Sequence, residues 1–402
     1  MSDSFQSSLL SSKLTLKRYF DMDKNLQAWD AADSYLLEVF GSLGWAQHKT
    51  GQKKSVWVLN DNFGALAISL LAWSVEQAQP LDVVVYTDSY LAVTSVKNNL
   101  ELNVSLLNRE HLNTGQLAFI HNLDELSSIT RPDVVIGRVP KAKSQLIYIL
   151  DALRRRVHEG CELLLSGMDK HLSKGQYSLL EHYGDSTFMP GKKKARIWRA
   201  TCNVNSKQQA GSKDYQVLDY APVVTLANNF SFGKLDLGAR LLIENMDRLG
   251  PASRVIDLAC GNGVLGLVYS AKFNPSSILF SDESYQAIQA SEINFVEWAR
   301  AEHINTNQTK AQFRVDNSLE RQDEEFVDLI ICNPPFHQQN SVSTTMATAL
   351  FKDAWRCLTN RGEMWVVANR HLGYHVVLRR FFNNCRVAAS TNKFVLLRVV
   401  KK

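Results

Sequence analysis

Residues 328 to 339 read "DLIICNPPFHQQ": an aspartate, an apolar run, then Asn333-Pro334-Pro335-Phe336. Two adjacent prolines withdraw backbone N–H donors and fix φ near −65°, so this stretch can continue neither a strand nor a helix. It is stiff, kinked and short of its own hydrogen bonds. Such a segment suits a ligand better than a core.

Three further places upstream carry side chains that could serve the same site. In "VIDLACGNGVLGL" an apolar strand ends at Asp257 and Leu258 and turns through Gly261 and Gly263 into a helix. Glycines permit φ > 0 and let a ligand approach the backbone beside a helix N-terminus. The acidic residue ahead of them would repel a pyrophosphate and suits the amino-acid end of a cationic cofactor. The next strand, "SSILFSDES", ends at Asp282 and Glu283, where an acid can accept both hydroxyls of a ribose. A third, "AQFRVDNSLE", ends at Asp316 and Asn317, polar groups suited to an adenine edge.

All four places fall at the ends of short β-branched runs that alternate with longer amphipathic segments. That alternation predicts a mostly parallel sheet covered by helices on both faces, with ligands at the carboxyl ends of the strands. The pattern also occurs twice. At an offset of 195 residues, Tyr90, Ala92 and Asn99 fall on Tyr285, Ala287 and Asn294, and "DVVIGRVPK" falls on "DLIICNPPF". "VWVLNDNFGALAISLL" likewise echoes "RVIDLACGNGVLGLVYS". The expected organisation is therefore α/β, with two tandem Rossmann-like domains, each a doubly wound sheet. The first spans 1–200, a polar linker 201–221, and the second 222–402. A helix over 25–40 is expected to lead into the first copy.

Bulk properties fit this reading. The 402 residues exceed one ordinary core, and 45% hydrophobic with 21% charged residues is a globular composition. A net charge of +5 is compatible with a polyanionic partner without requiring one. Six cysteines without a C-x-x-C pair argue against zinc and against a disulfide framework. With no secretory h-region and no long apolar run, a cytoplasmic address and no membrane contact are expected.

The order of acidic strand end, glycine turn, acidic strand end, polar strand end and N-P-P-F resembles the class I S-adenosylmethionine-dependent methyltransferases. "FSFGKLDLGARLL", ahead of the first strand, resembles the lead-in of their small-methyltransferase domain. Nearly the whole chain is similar to the guanine-N2 methyltransferases of large-subunit ribosomal RNA, a family with a degenerate first copy. "LQAWDAADSYLL", "LNDNFGALA", "NPPFHQQ", "VANRHLGYH" and "NKFVLL" carry that resemblance most closely.

The resemblance implies S-adenosyl-L-methionine as cofactor, no metal, 23S ribosomal RNA or a large-subunit precursor as partner, and no obligatory protein partner. It also gives Asn333, Pro334, Pro335 and Phe336 a chemistry. An exocyclic amino nitrogen is a poor nucleophile because its lone pair is delocalised into the ring. Carbonyls of Asn333 and Pro334 that accept its N–H bonds would aim that lone pair at the methyl group, and Phe336 could stack on an extruded base. Rival substrates are a guanine of 16S RNA, adenine N6 and a protein glutamine. A rival of another class is a non-catalytic RNA-binding or assembly factor.

The first copy is an internal control. Where the second has Asn333-Pro334-Pro335-Phe336, it has Arg138-Val139-Pro140-Lys141, and Val58 stands opposite Asp257. It is expected not to be catalytic. Arg138, Lys141, Lys143, Lys192, Lys193 and Lys194 are expected either to hold RNA phosphates or to be solvated faces of a stabilising pseudo-partner.

Overall fold

The computed structural model describes residues 3–19, 26–43, 53–107, 117–124, 130–183, 185–202, 212–334 and 340–402. Among these, residues up to 202 belong to one compact unit and residues from 212 onward to another. The first unit runs β1 (Ser4–Phe5), β2 (Leu14–Thr15), α1 (Ala31–Gly41), β3 (Lys54–Leu59), α2 (Ala65–Glu76), β4 (Leu81–Tyr86), α3 (Tyr90–Leu102) and β5 (Leu117–Ile120). It continues through β6 (Val134–Arg138), α4 (Lys143–Arg156), β7 (Glu162–Met168), α5 (Lys174–Glu181), β8 (Asp185–Phe188) and β9 (Ala195–Thr201).

The second unit repeats the scheme. It contains β10 (Ser212–Tyr215), β11 (Val223–Leu226), α6 (Leu237–Glu244), β12 (Arg254–Leu258), α7 (Val264–Phe273), β13 (Ser277–Asp282), α8 (Tyr285–Arg300) and β14 (Lys310–Val315). β15 (Val327–Cys332), α9 (Asn340–Cys357), β16 (Leu358–Asn369), α10 (Tyr374–Phe382), β17 (Arg386–Ser390) and β18 (Phe394–Val400) complete it.

The two seven-stranded sheets have the same order, β5-β4-β3-β6-β7-β9-β8 and β14-β13-β12-β15-β16-β18-β17. Five strands of each are parallel, and the last two pair antiparallel at one edge. Both faces are covered, as the continuous apolar strands require. Leu242, Leu265 and Phe295 of α6, α7 and α8 pack on one face of the second sheet, while Phe351 and Leu378 of α9 and α10 pack on the other. Each such side chain contributes roughly 1.5–3 kcal/mol on full burial.

The duplication extends to single hydrogen bonds. Asn99 donates to the carbonyls of Phe63 and Lys17 and accepts from the Lys17 N–H. Asn294 does the same with Asn262 and Val224. Asp133 accepts from the Ser55 N–H and Asp328 from the Arg254 N–H, tying the start of the fourth parallel strand to the start of the first. These four polar groups, of which Asn99 and Asn294 are fully buried, are fastenings of the fold.

Two sequence expectations need correction. The leading helix starts at Ala31, not 25, because Asp30 caps it: its carboxylate accepts from the Ala32 N–H and Asp33 closes the capping box. The expected linker 201–221 is structured in part. Residues 212–215 form β10, paired antiparallel with β11 through Tyr215↔Val223, and Tyr215 packs against the second unit's core.

Candidate active site

Gly261 and Gly263 both have positive φ, 55° and 81°, but for different reasons. A Cβ on Gly261 would meet nothing within 4 Å, so the turn is open above it. One on Gly263 would strike the Ser291 Cβ at 2.8 Å, so that glycine serves the packing of α7 against α8. Only Gly261 has the open space a ligand needs.

Asp257 is fully buried beneath this turn. Its Oδ2 accepts from the Gly266 N–H at 2.8 Å, while Oδ1 is buried without a partner among the described residues. Burial pushes its carboxyl well above the usual range, with the nearby Asp282 charge adding to the effect. An orphaned carboxylate oxygen fits the approach of a cationic amine. Because the folded-state value is raised, ionised Asp257 costs stability at neutral pH, and that cost fades as pH falls toward the ordinary carboxylate value near ~4. Asp257→Asn is therefore expected to raise Tm relative to the parent most at pH 7–8, with the gap narrowing toward pH 5. A gap independent of pH would contradict this assignment.

Asp282 ties the second strand end to the turn: its Oδ2 accepts from the Gly261 N–H at 2.9 Å and its Oδ1 from the Ser284 N–H at 3.0 Å. Both oxygens are thus held in fixed directions with second lone pairs to spare, a geometry that suits a vicinal diol. Burial raises its carboxyl as well. Glu283, beside it, is half-buried. At the third strand end Asp316 turns inward. Its Oδ1 accepts from the Asn317 N–H at 2.8 Å and from Arg321 Nε at 3.2 Å, leaving a side chain only 1% exposed. Asn317 is half-buried and donates to Glu320 at 3.3 Å, which makes it the more accessible of the two.

β15 delivers Asn333 between these groups and α6. The Asn333 Nδ2 donates to Asp236 Oδ2 at 3.1 Å, and its Oδ1 is buried with no partner among the described residues. Asp236 is the N-cap of α6, accepting from the N–H groups of Gly238 at 2.8 Å and Ala239 at 3.0 Å. Gly238 makes room for this pair, since a Cβ there would lie 2.8 Å from Asp236 Oδ2 and 3.2 Å from Asn333 Oδ1. Pro334 is buried, and Pro335 and Phe336 lie outside the described residues. Sequence reading missed Asp236. The available signal was the N-cap pattern Asp-Leu-Gly inside "FSFGKLDLGARLL", but its target lies 97 residues away. Among the described residues no group of three or more His, Cys, Asp or Glu is placed to hold a metal, and no helix is long and apolar enough to cross a membrane.

The first unit fills the matching places with its own side chains. Asp61 directs its carboxylate into the turn, accepting from the N–H groups of Gly64, Leu66 and Ala67 at 2.8–3.0 Å, and burial raises its carboxyl to about 6. Arg138 corrects the expectation placed on it. Its Nη1 donates to Asp30 at 2.6 Å and to Asp33 at 2.7 Å, and its Nη2 to Asp30 at 2.8 Å. Two carboxylates hold this guanidinium, so it is no spare cation for a phosphate. Burial acts to raise Asp30, but the guanidinium outweighs it and the carboxyl is lowered. Lys192 pairs with Glu38 at 2.5 Å, both about half exposed. Lys141, Lys143, Lys193 and Lys194 are exposed and make no ion pair with another described residue.

Similarity to known proteins follows the same division. The T. thermophilus 16S rRNA N2 G1207 methyltransferase, solved in complex with AdoMet and guanosine, shares the fold with a TM-score of 0.71. It is 17% identical and covers 99% of this chain and 97% of that one. The methyltransferase small domain family matches residues 221–398, which places the second unit among the Rossmann-like methyltransferases. The RLMG N-terminal domain family matches residues 4–205. Relatives described as ribosomal RNA large subunit methyltransferase G are 33% identical in Psychromonas ingrahamii, over 94% of each chain, and 35% identical in Pseudomonas aeruginosa, over 97% of this chain and 98% of that one. The chain belongs to the ribosomal RNA large subunit methyltransferase G family.

Proposed function

We propose that the second unit transfers a methyl group from S-adenosyl-L-methionine to the exocyclic N2 of a guanine in 23S ribosomal RNA. The observation that carries this reading is the buried Asn333 Oδ1 at the end of β15, unpartnered among the described residues, with the Pro334 carbonyl next in the chain. These two acceptors hold the amino group's hydrogens, so its lone pair points away from the ring's π system. The Asp257, Gly261 and Asp282 positions hold the amino-acid and ribose parts, with Glu283 beside them and Asn317 at the adenine edge.

Bound S-adenosylmethionine supplies an electrophilic methyl on a sulfonium sulfur. The amino lone pair aimed by Asn333 and Pro334 would take that methyl as the C–S electron pair left with sulfur, and the nitrogen would then shed a proton to solvent. No strong general base is required, because the N–H becomes acidic only as the bond forms. What the protein contributes is orientation and preorganised acceptors. Exposed Lys141, Lys143, Lys193 and Lys194 of the first unit, with Lys192 in part, supply sequence-independent attraction for RNA phosphates. Pro335 and Phe336 keep the roles of stiffening the loop and stacking on the base.

The test is methyl transfer from labelled S-adenosylmethionine to unmodified 23S and 16S RNA, followed by nucleoside analysis. Label in N2-methylguanosine of 23S RNA alone is the expected result. Label in 16S RNA, in N6-methyladenosine or in protein would overturn the substrate, and no label despite cofactor binding would favour a non-catalytic role.

A further inference from the structure

We infer that Asp236 is a positioning residue for the reaction: it selects which end of the Asn333 amide faces the target amino group. This rests on the proposed role of Asn333. An asparagine side chain presents an acceptor at one end and two donors at the other, and the two orientations fill nearly the same space. Only the oxygen can receive an N–H from the substrate. With the amide turned over, two donors would confront each other and the site would repel its target.

Asp236 removes that ambiguity chemically. A carboxylate has no hydrogen to offer, so only the Asn333 NH2 can face it, as the 3.1 Å contact has it. The carboxylate is itself fixed, since the same Oδ2 accepts from two backbone N–H groups at the first turn of α6. Oδ1 of Asn333 is then left buried and unpartnered among the described residues, at the opposite end of the amide from Asp236. Donation to a charged acceptor also polarises the amide and strengthens its oxygen as an acceptor.

The first unit supports this independently. There too the N-cap acid of the leading helix, Asp30, reaches the end of the fourth parallel strand, where Arg138 donates to it through both Nη atoms. The contact between cap and strand end is therefore built into both copies. What differs is the group presented on its far side: an amide oxygen in one, a fully committed guanidinium in the other.

Serine separates the two duties of Asp236. Ser caps helices about as well as Asp, but its short hydroxyl cannot cap α6 and also accept from Asn333. In the full chain, Asp236→Ser is expected to keep Tm and cofactor affinity while kcat falls about 10- to 100-fold at unchanged KM for RNA, the scale of a misplaced reacting group. Asp236→Asn, which can cap and accept as well, should recover kcat to within a few-fold of the parent. Adding Asn333→Ala to Asp236→Ser should cost little beyond Asn333→Ala alone, because the two act as one unit. Full activity of Asp236→Ser beside an inactive Asn333→Ala would overturn the positioning role and leave the site reading intact. Full activity of both would overturn both.

Discussion

Asn333→Ala is expected to lower kcat about 10²- to 10³-fold, the range for deleting one preorganised hydrogen-bonding group at a reacting centre. Cofactor affinity should change little, because the proposed cofactor positions lie at the ends of β12, β13 and β14. Folding should suffer only modestly, since Oδ1 makes no bond among the described residues and the one bond lost, from Nδ2 to Asp236 Oδ2, leaves that oxygen its two backbone donors. Single-turnover methyl transfer with equilibrium cofactor binding on the same preparation checks all three. Retention of the parent rate would remove the amide from the chemistry.

The second large effect lies in the unit without a complete site. Arg138→Ala strips the counter-charge from Asp30 and Asp33, the latter 10% exposed at its side chain. Breaking a fully buried ion pair costs about 3–5 kcal/mol. With the guanidinium 20% exposed, a loss of about 2–3 kcal/mol is the better expectation, and the affected unit should melt about 5–10 °C lower. The destabilisation should ease as pH falls and the stranded carboxylates take up protons. Reversal of Lys193 and Lys194 to glutamate should behave in the opposite way, leaving Tm unchanged while weakening RNA binding and flattening its salt dependence. If Arg138→Ala instead left Tm intact and altered the salt slope, the guanidinium would be a phosphate contact after all.

These two residues also mark what sequence can and cannot reveal. The duplication, the two parallel sheets and the strand-end positions were all legible, because hydrophobic alternation and fixed spacing are local signals. Asn333 announced itself through its prolines. Asp236 did not, because an N-cap aspartate is an ordinary way to start a helix, and only folding brings it to the end of β15. Arg138 misled for the same reason: a cation in an active-site position invites a phosphate, but its carboxylates come from 105 and 108 residues away. Gly261 and Gly263 looked equivalent as a pair. The difference between open space and Ser291 behind them is tertiary. The start of the second unit inside a polar segment was also hidden, since the apolar side chain of Tyr215 alone betrays β10.

The paired fastenings have a practical consequence for anyone scanning this enzyme by mutagenesis. Asn294 sits at the glycine turn, contacts the Asn262 carbonyl and would pass for a cofactor residue in any activity screen. Its twin Asn99 makes the same bonds in the unit that has Arg138-Val139-Pro140-Lys141 in place of the Asn333 tetrapeptide. Dead variants at Asn294 are therefore expected to report missing protein rather than missing turnover, and the matching Asn99 variants are the reference against which they should be sorted.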